Sequence, residues 1–333
     1  MIMNNKNIEW FMNAKFGMFI HWGLYSIPGG RWKGETMPTI GEWLQSYYRI
    51  PIREYALLAA QFNPIGFDAD EWAKKARNAG CKYLVFTAKH HDGFAMYHTK
   101  YNNYNVVDMT PFGRDPLREL VDACRKNGIT PGIYYSHALD WSEPDGADPG
   151  KDMPMNNYIM PWGNNWDFPD HSSKQFSRYF NNKAMFQVKE LLTQYGDIGL
   201  LWFDCPREIT PEQSKELKEM VKSIQPDCIV NSRIGNGYGD YRSLGDNEAA
   251  VDKQIDVAES PVTMNDTWGY KHDDHNWKEP EVIIEKLFTG VRNNANLLLN
   301  VGPTPEGRFT PETDRILEEV GEWMRANMEM VYA

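Results

Sequence analysis

No run in the 333 residues is apolar and long enough to cross a bilayer, and the polar start, residues 1–10, has no apolar stretch of the kind a secretion signal carries. As written the chain reads as cytoplasmic, with a secreted or periplasmic location if a leader was removed. Basic residues are in deficit: 35 Lys and Arg face 46 Asp and Glu, a formal net charge of -11. That balance argues against nucleic acid or an anionic membrane as partner. Cysteine is scarce, and Cys81, Cys124, Cys205 and Cys228 lack the close spacing of a metal knuckle, so reduced and mostly buried thiols are expected. No internal repeat or low-complexity tract is present. A Gly-rich phosphate turn is also missing, which disfavours a doubly wound nucleotide-binding sheet.

Aromatic residues are abundant, at 13% with 12 Trp and 17 Tyr. Their faces suit both sugar rings and large cores, so they do not decide function alone. The order of elements says more. Apolar strand-like runs at 16–20, 83–87, 130–135, 199–203, 228–231, 255–258 and 296–301 alternate with loops or helical stretches at 70–78, 116–126, 174–195, 211–224, 281–292 and 311–328. Several helix starts are sharp: Asp115-Pro116, Thr210-Pro211 with Gln213, and Thr310-Pro311. About seven strands read this way predict one α/β domain over 1–333, a (β/α)8 TIM-like barrel with fewer or irregular helices in places.

The run Leu200-Leu201-Trp202-Phe203 has no polar alternation, as in a strand buried on both faces, and it ends in Asp204-Cys205-Pro206. A carboxylate there is costly to bury without partners. It has company. His21, the pair His90 and His91, Tyr134, Trp202 and Arg233 also fall at or just beyond the ends of predicted strands. A barrel gathers those ends on one face, where catalytic groups sit. A lone strand-end His is more often structural, Tyr134 suits a barrel filler, and Arg233 suits a loop carboxylate. Those six groups in register with Asp204 describe a pocket for a polyhydroxylated ring: neutral donors, aromatic walls, one cation and one carboxylate.

At these residues the chain resembles the α-L-fucosidases, family 29 of the glycoside hydrolases. The matching stretches are Phe16-Gly17-Met18-Phe19-Ile20-His21-Trp22-Gly23, Glu42-Trp43, Lys89-His90-His91-Asp92-Gly93-Phe94, Tyr134-Tyr135-Ser136, Leu201-Trp202-Phe203-Asp204, Asn231-Ser232-Arg233, Trp268-Gly269-Tyr270 and Asn296 through Pro303. The resemblance implies a retaining, exo-acting enzyme that cleaves terminal α-L-fucosyl linkages of an oligosaccharide or glycoconjugate through a covalent intermediate. It makes Asp204 the nucleophile, and it has His21, Glu42, Trp43, His90, His91, Tyr134, Trp202 and Arg233 hold the ring. Neither metal nor organic cofactor is implied. Three departures stand out. The family's usual C-terminal β-sandwich has no counterpart before Ala333, Cys205-Pro206 replaces a common Gly, and the loop at 140–169 follows no family pattern.

Retaining glycosidases need two carboxyl groups roughly 5–5.5 Å apart. For the general acid/base the sequence offers Asp246, Glu248 and Glu259. Asp246, counted from Asp240-Tyr241, falls closest to where one branch of the family carries its catalytic Glu, and it is the first choice. Glu259 resembles the Glu of another branch and ends a predicted strand; it is the second. Glu248 reads as a solvated loop charge. Two other classes compete: a metal-dependent barrel hydrolase using His21, His90, His91 and Asp204, and a carbohydrate-binding barrel without catalysis. Adjacent His residues on a strand point to opposite faces, which counts against the first; the presence of Asp204 counts against the second.

Overall fold

The computed structural model describes residues 6–332. Eight parallel strands form one sheet: β1 Phe16–Ile20, β2 Tyr83–Lys89, β3 Thr130–Tyr135, β4 Leu200–Phe203, β5 Ile229–Val230, β6 Arg242–Ser243, β7 Ala258–Thr263 and β8 Ala295–Val301. The spatial order is β6-β7-β8-β1-β2-β3-β4-β5. A parallel bridge between Asn231 and Tyr241 joins the two outer strands, so the sheet curls round on itself in sequence order as a (β/α)8 barrel does. Every residue of β1, β2, β4, β7 and β8 is buried, as strands covered by helices outside and side chains inside must be.

Helices α1 Lys6–Ala14, α2 Ala69–Ala79, α3 Pro116–Lys126, α4 Met185–Gln194, α5 Pro211–Ile224, α6 Pro280–Arg292 and α7 Pro311–Ala326 accompany the strands. Their starts follow the sequence signals. Asp68 and Asp115 accept from the third backbone N–H of α2 and α3. Thr210 and Gln213 form a reciprocal capping box on α5. No helix among the described residues is long and apolar enough to cross a membrane.

Three expectations shift. β6 is an eighth strand inside a stretch that reads as loop; it is two polar residues, Arg242 and Ser243, so no apolar signal marks it. The strand expected at 255–258 lies at Ala258–Thr263, because its interior residues include Glu259, Ser260 and Thr263, whose polarity hides the strand. The helix expected at 174–195 is interrupted by a wide turn, Phe180–Ala184, which turns the Lys183 side chain into a buried ion pair. All four cysteines are free thiols, and only Cys205 is partly exposed.

Inside the barrel, alternate residues of a strand share one face. Gly17 leaves room at the N-terminal end for the Tyr83 ring, whose atoms lie 2.3–2.6 Å from where a β-carbon would sit. Phe19, two residues on, packs against Trp202 and Tyr134. His21, two further, stands at the mouth. The same step of two carries Trp202 to Asp204. The loops over that mouth include two small hairpins, Arg31–Thr36 and Met153–Met160.

Candidate active site

The strand ends surround a cavity of about 330 Å³. Its lining includes His21, Glu42, Trp43, His90, His91, Trp202, Asp204, Arg233 and Asp246, and it also takes in Phe19, Ile40, Met155, Trp162, Cys205 and Trp268. Two expected residues lie elsewhere. Tyr134 is fully buried behind the wall and acts through its hydroxyl, which donates to Asp204 Oδ2 at 3.0 Å. Glu259 is the second residue of β7, at the N-terminal end of the strand rather than at its C-terminal end. There it accepts from Tyr83 Oη and Trp202 Nε1, each at 2.7 Å, and from Tyr241 Oη at 3.3 Å. The Trp202 indole lies between it and the cavity. Burial pushes its carboxyl up to about 7, and those three donors only partly offset the cost.

Asp204 keeps the ionised form despite being buried. Burial alone would raise its pKa, but the Arg233 charge, the neighbouring His91, and hydrogen bonds from Arg233 and Tyr134 outweigh it, and the net shift is downward. Arg233 Nη1 donates to Asp204 Oδ1 at 2.9 Å, and its other terminal nitrogen donates to Leu244 O at 2.9 Å and to Asp246 Oδ1 at 2.6 Å. The guanidinium also sits over the Trp202 ring, 4.7 Å from its centroid. Just below, the Asn231 amide exchanges two 2.9 Å hydrogen bonds with the backbone of Phe203, fixing the residue before the carboxylate.

Asp246 is half exposed, on a loop pinned on both sides of it. Glu248 caps the Gly245 N–H at 2.7 Å, and so braces the loop. Asn247, at φ +59, accepts from the Thr263 N–H and hydroxyl at the end of β7.

His21 and His91 are neutral. Burial lowers His21 to about 3 and His91 to about 4. The Asn300 amide donates to Trp268 O, so its oxygen accepts from His21 Nδ1 at 2.7 Å and leaves a lone pair on Nε2. Ser136 donates its one hydroxyl proton to Leu139 O, so it accepts from His91 Nδ1 at 2.7 Å, and His91 Nε2 likewise carries a lone pair. His90 and His91 both face the cavity, their rings 4.2 Å apart, because β2 shifts register between Thr87 and Lys89 and ends before them. Strand alternation therefore does not send the two imidazoles to opposite faces.

Three polar atoms on the wall, Glu42 Oε1, His90 Nδ1 and Trp162 Nε1, are buried without a partner. An unpartnered buried polar atom is costly, and on a cavity wall it is available to a polar group of a ligand. Glu42 Oε2 is satisfied by the Gly269 N–H at 2.9 Å and Thr267 Oγ1 at 3.2 Å. The walls that sequence reasoning missed, Met155 and Trp162, come from the patternless loop at 140–169, where their number among other Met and Trp residues gave no signal.

A protein-family model described as Alpha-L-fucosidase matches residues 2–329. The tissue α-L-fucosidase of Mus musculus is 31% identical over 350 residues, covering 98% of this chain and 71% of that protein. The α-L-fucosidase AlfC from Lactobacillus casei, solved with α-L-fucose product, is 42% identical, with a TM-score of 0.90 over 96% of this chain and 99% of that one. A mutant of AlfC in complex with Fuca(1,6)GlcNAc is 42% identical, with a TM-score of 0.90 over 97% and 99% of the two chains. The chain thus belongs to the α-L-fucosidase family, and it is a glycoside hydrolase built on a (β/α)8 barrel.

Proposed function

We propose that this α-L-fucosidase is exo-acting and retaining, with Asp204 as nucleophile and Asp246 as general acid/base. The observation that carries the reading is the shared guanidinium. One Arg233 holds a buried, ionised carboxylate on one terminal nitrogen and a loop carboxylate at the cavity mouth on the other. That spacing admits the roughly 5–5.5 Å separation retaining enzymes use.

Fucose enters with its hydroxyls toward Glu42 Oε1, His90 Nδ1 and the lone pair of His21 Nε2, and its ring against the aromatic walls. Asp204 Oδ2 attacks the anomeric carbon while Asp246 protonates the departing oxygen; an ester to Asp204 forms and the aglycone leaves. Asp246 then takes a proton from water, whose oxygen attacks the same carbon and frees Asp204. As the acid, Asp246 must part from Arg233 and carry a proton, which its exposed loop position permits. The walls close round one ring, which favours a terminal residue. Because AlfC is held with Fuca(1,6)GlcNAc and shares this barrel, an α-1,6-linked fucosyl-GlcNAc is the substrate to try first.

The test is the anomer first released from an aryl α-L-fucoside, read by proton NMR before mutarotation. Retention requires α-L-fucose; β-L-fucose as the first product rejects the double displacement.

A further inference from the structure

Three different donor atoms converge beside the cavity floor. His91 Nε2 lies 3.7 Å from Asp204 Oδ2 and 3.9 Å from Cys205 Sγ, and the three ligand atoms all fall within 4.8 Å of one another. Hydrogen bonding fixes the tautomer: with Nδ1–H held by Ser136, the His91 nitrogen facing the other two is the lone pair. Cys205 is turned toward it by a left-handed backbone, φ +46, just ahead of Pro206.

A tetrahedral ion with bonds of about 2.0–2.3 Å sets its ligands roughly 3.3–3.7 Å apart, so the measured edges need to contract by only a few tenths of an ångström up to about one. The donor set, one imidazole, one thiolate and one carboxylate, is borderline-soft, and all three residues line the cavity.

We propose that His91, Asp204 and Cys205 form a three-donor site for a thiophilic divalent cation of the zinc class, and that an ion bound there occludes the nucleophile. Binding replaces the Cys205 thiol proton, which leaves to solvent, with a metal–sulfur bond. Thiolate and carboxylate then neutralise the ion's two charges, while Arg233 retains Asp246 as counter-charge. The Asp204 oxygen that faces the anomeric carbon becomes a metal ligand, so cation and fucoside exclude each other. The cation site stands on the donor geometry; the inhibition rests on the reading of Asp204 as nucleophile.

The experiment titrates metal-free enzyme with Co2+, followed by thiolate-to-cobalt charge-transfer absorption, and separately with Zn2+ during turnover of an aryl fucoside. The expected results are a thiolate band that L-fucose suppresses, and zinc inhibition that competes with substrate and is reversed by chelator. Cys205→Gly, which suits the left-handed backbone, abolishes the band and raises the inhibitory zinc concentration at least tenfold. No band at millimolar cobalt, or equal inhibition of wild type and Cys205→Gly, overturns the site. A band that Cys205→Gly abolishes, with turnover unaffected by zinc, keeps the site and overturns the role given to Asp204.

Discussion

Glu42→Gln separates charge from shape at a buried carboxylate oxygen that has no hydrogen-bond partner on the cavity wall. Burial raises Glu42 from 4.5 to about 7, and hydrogen bonds from the Gly269 backbone and the Thr267 hydroxyl offset only part of that. Two consequences follow with definite signs. In the empty enzyme the folded state binds the proton more tightly than the unfolded chain, so Glu42 makes stability fall as pH rises from about 4.5 to about 7. At 1.36 kcal/mol per unit, the shift is worth about 3 kcal/mol. Asp92 and Glu259 are also raised to about 7 and share the window, so the informative quantity is the variant minus wild type. That difference should grow in favour of Glu42→Gln by about 3 kcal/mol between pH 4.5 and pH 7.5, measured by urea unfolding. With ligand the sign reverses. A sugar hydroxyl donating to Oε1 favours the ionised form, so wild-type affinity for L-fucose should tighten as pH rises and level off above about 7. A hydrogen bond to a charged acceptor is worth about 1.5–3 kcal/mol against about 0.5–1.5 for a neutral one, so the variant should bind fucose roughly fivefold to twentyfold more weakly at pH 8 and show no such pH limb. An identical limb in the variant, or wild-type affinity that weakens with pH, refutes the assignment of Glu42 as a hydroxyl acceptor.

Asp246→Ala should lose far more activity on glycosides with poor leaving groups than on activated aryl fucosides, since only the former need a proton; Glu259→Gln, made beside it, should show no such leaving-group dependence in steady-state kinetics. Tyr134→Phe removes one of the hydrogen bonds that keep Asp204 ionised, and a nucleophile with a raised pKa is lost earlier on acidification. The acidic limb of kcat/KM should therefore move to higher pH. Asp140→Ala takes the ion-pair partner from buried Lys89, 2.8 Å away, and leaves buried Lys183, 3.0 Å away, with Glu143 alone. Breaking such a cluster from one side typically costs about 3–5 kcal/mol, readable as a lowered urea midpoint.

The sequence carried the apolar strands and the helix caps plainly, because burial on both faces and capping chemistry are local signals. β6 and β7 were hard to read for the opposite reason. Arg242-Ser243 is too short and polar to look like a strand, and Glu259 is paid for by three partners, two of them, Tyr83 and Trp202, far away in the chain. No local pattern reveals that a carboxylate faces a barrel interior, so a strand end placed at Glu259 looked like a site. The strand-end residues His21, His90, His91, Trp202, Asp204 and Arg233 were legible because a barrel turns sequence position into spatial position. Met155 and Trp162 were not, since loop 140–169 reaches the cavity by its path through space and not by any periodicity. Nor could sequence show that Tyr134 acts on Asp204 from behind the wall.

A trapped glycosyl-enzyme intermediate would identify the nucleophile. Wild-type enzyme incubated with a 2-deoxy-2-fluoro-α-L-fucosyl donor should accumulate a covalent adduct of one fluorofucosyl group, and peptide mass spectrometry should place it on Asp204. An adduct on any other residue, or none from a donor that the enzyme demonstrably turns over, contradicts the account.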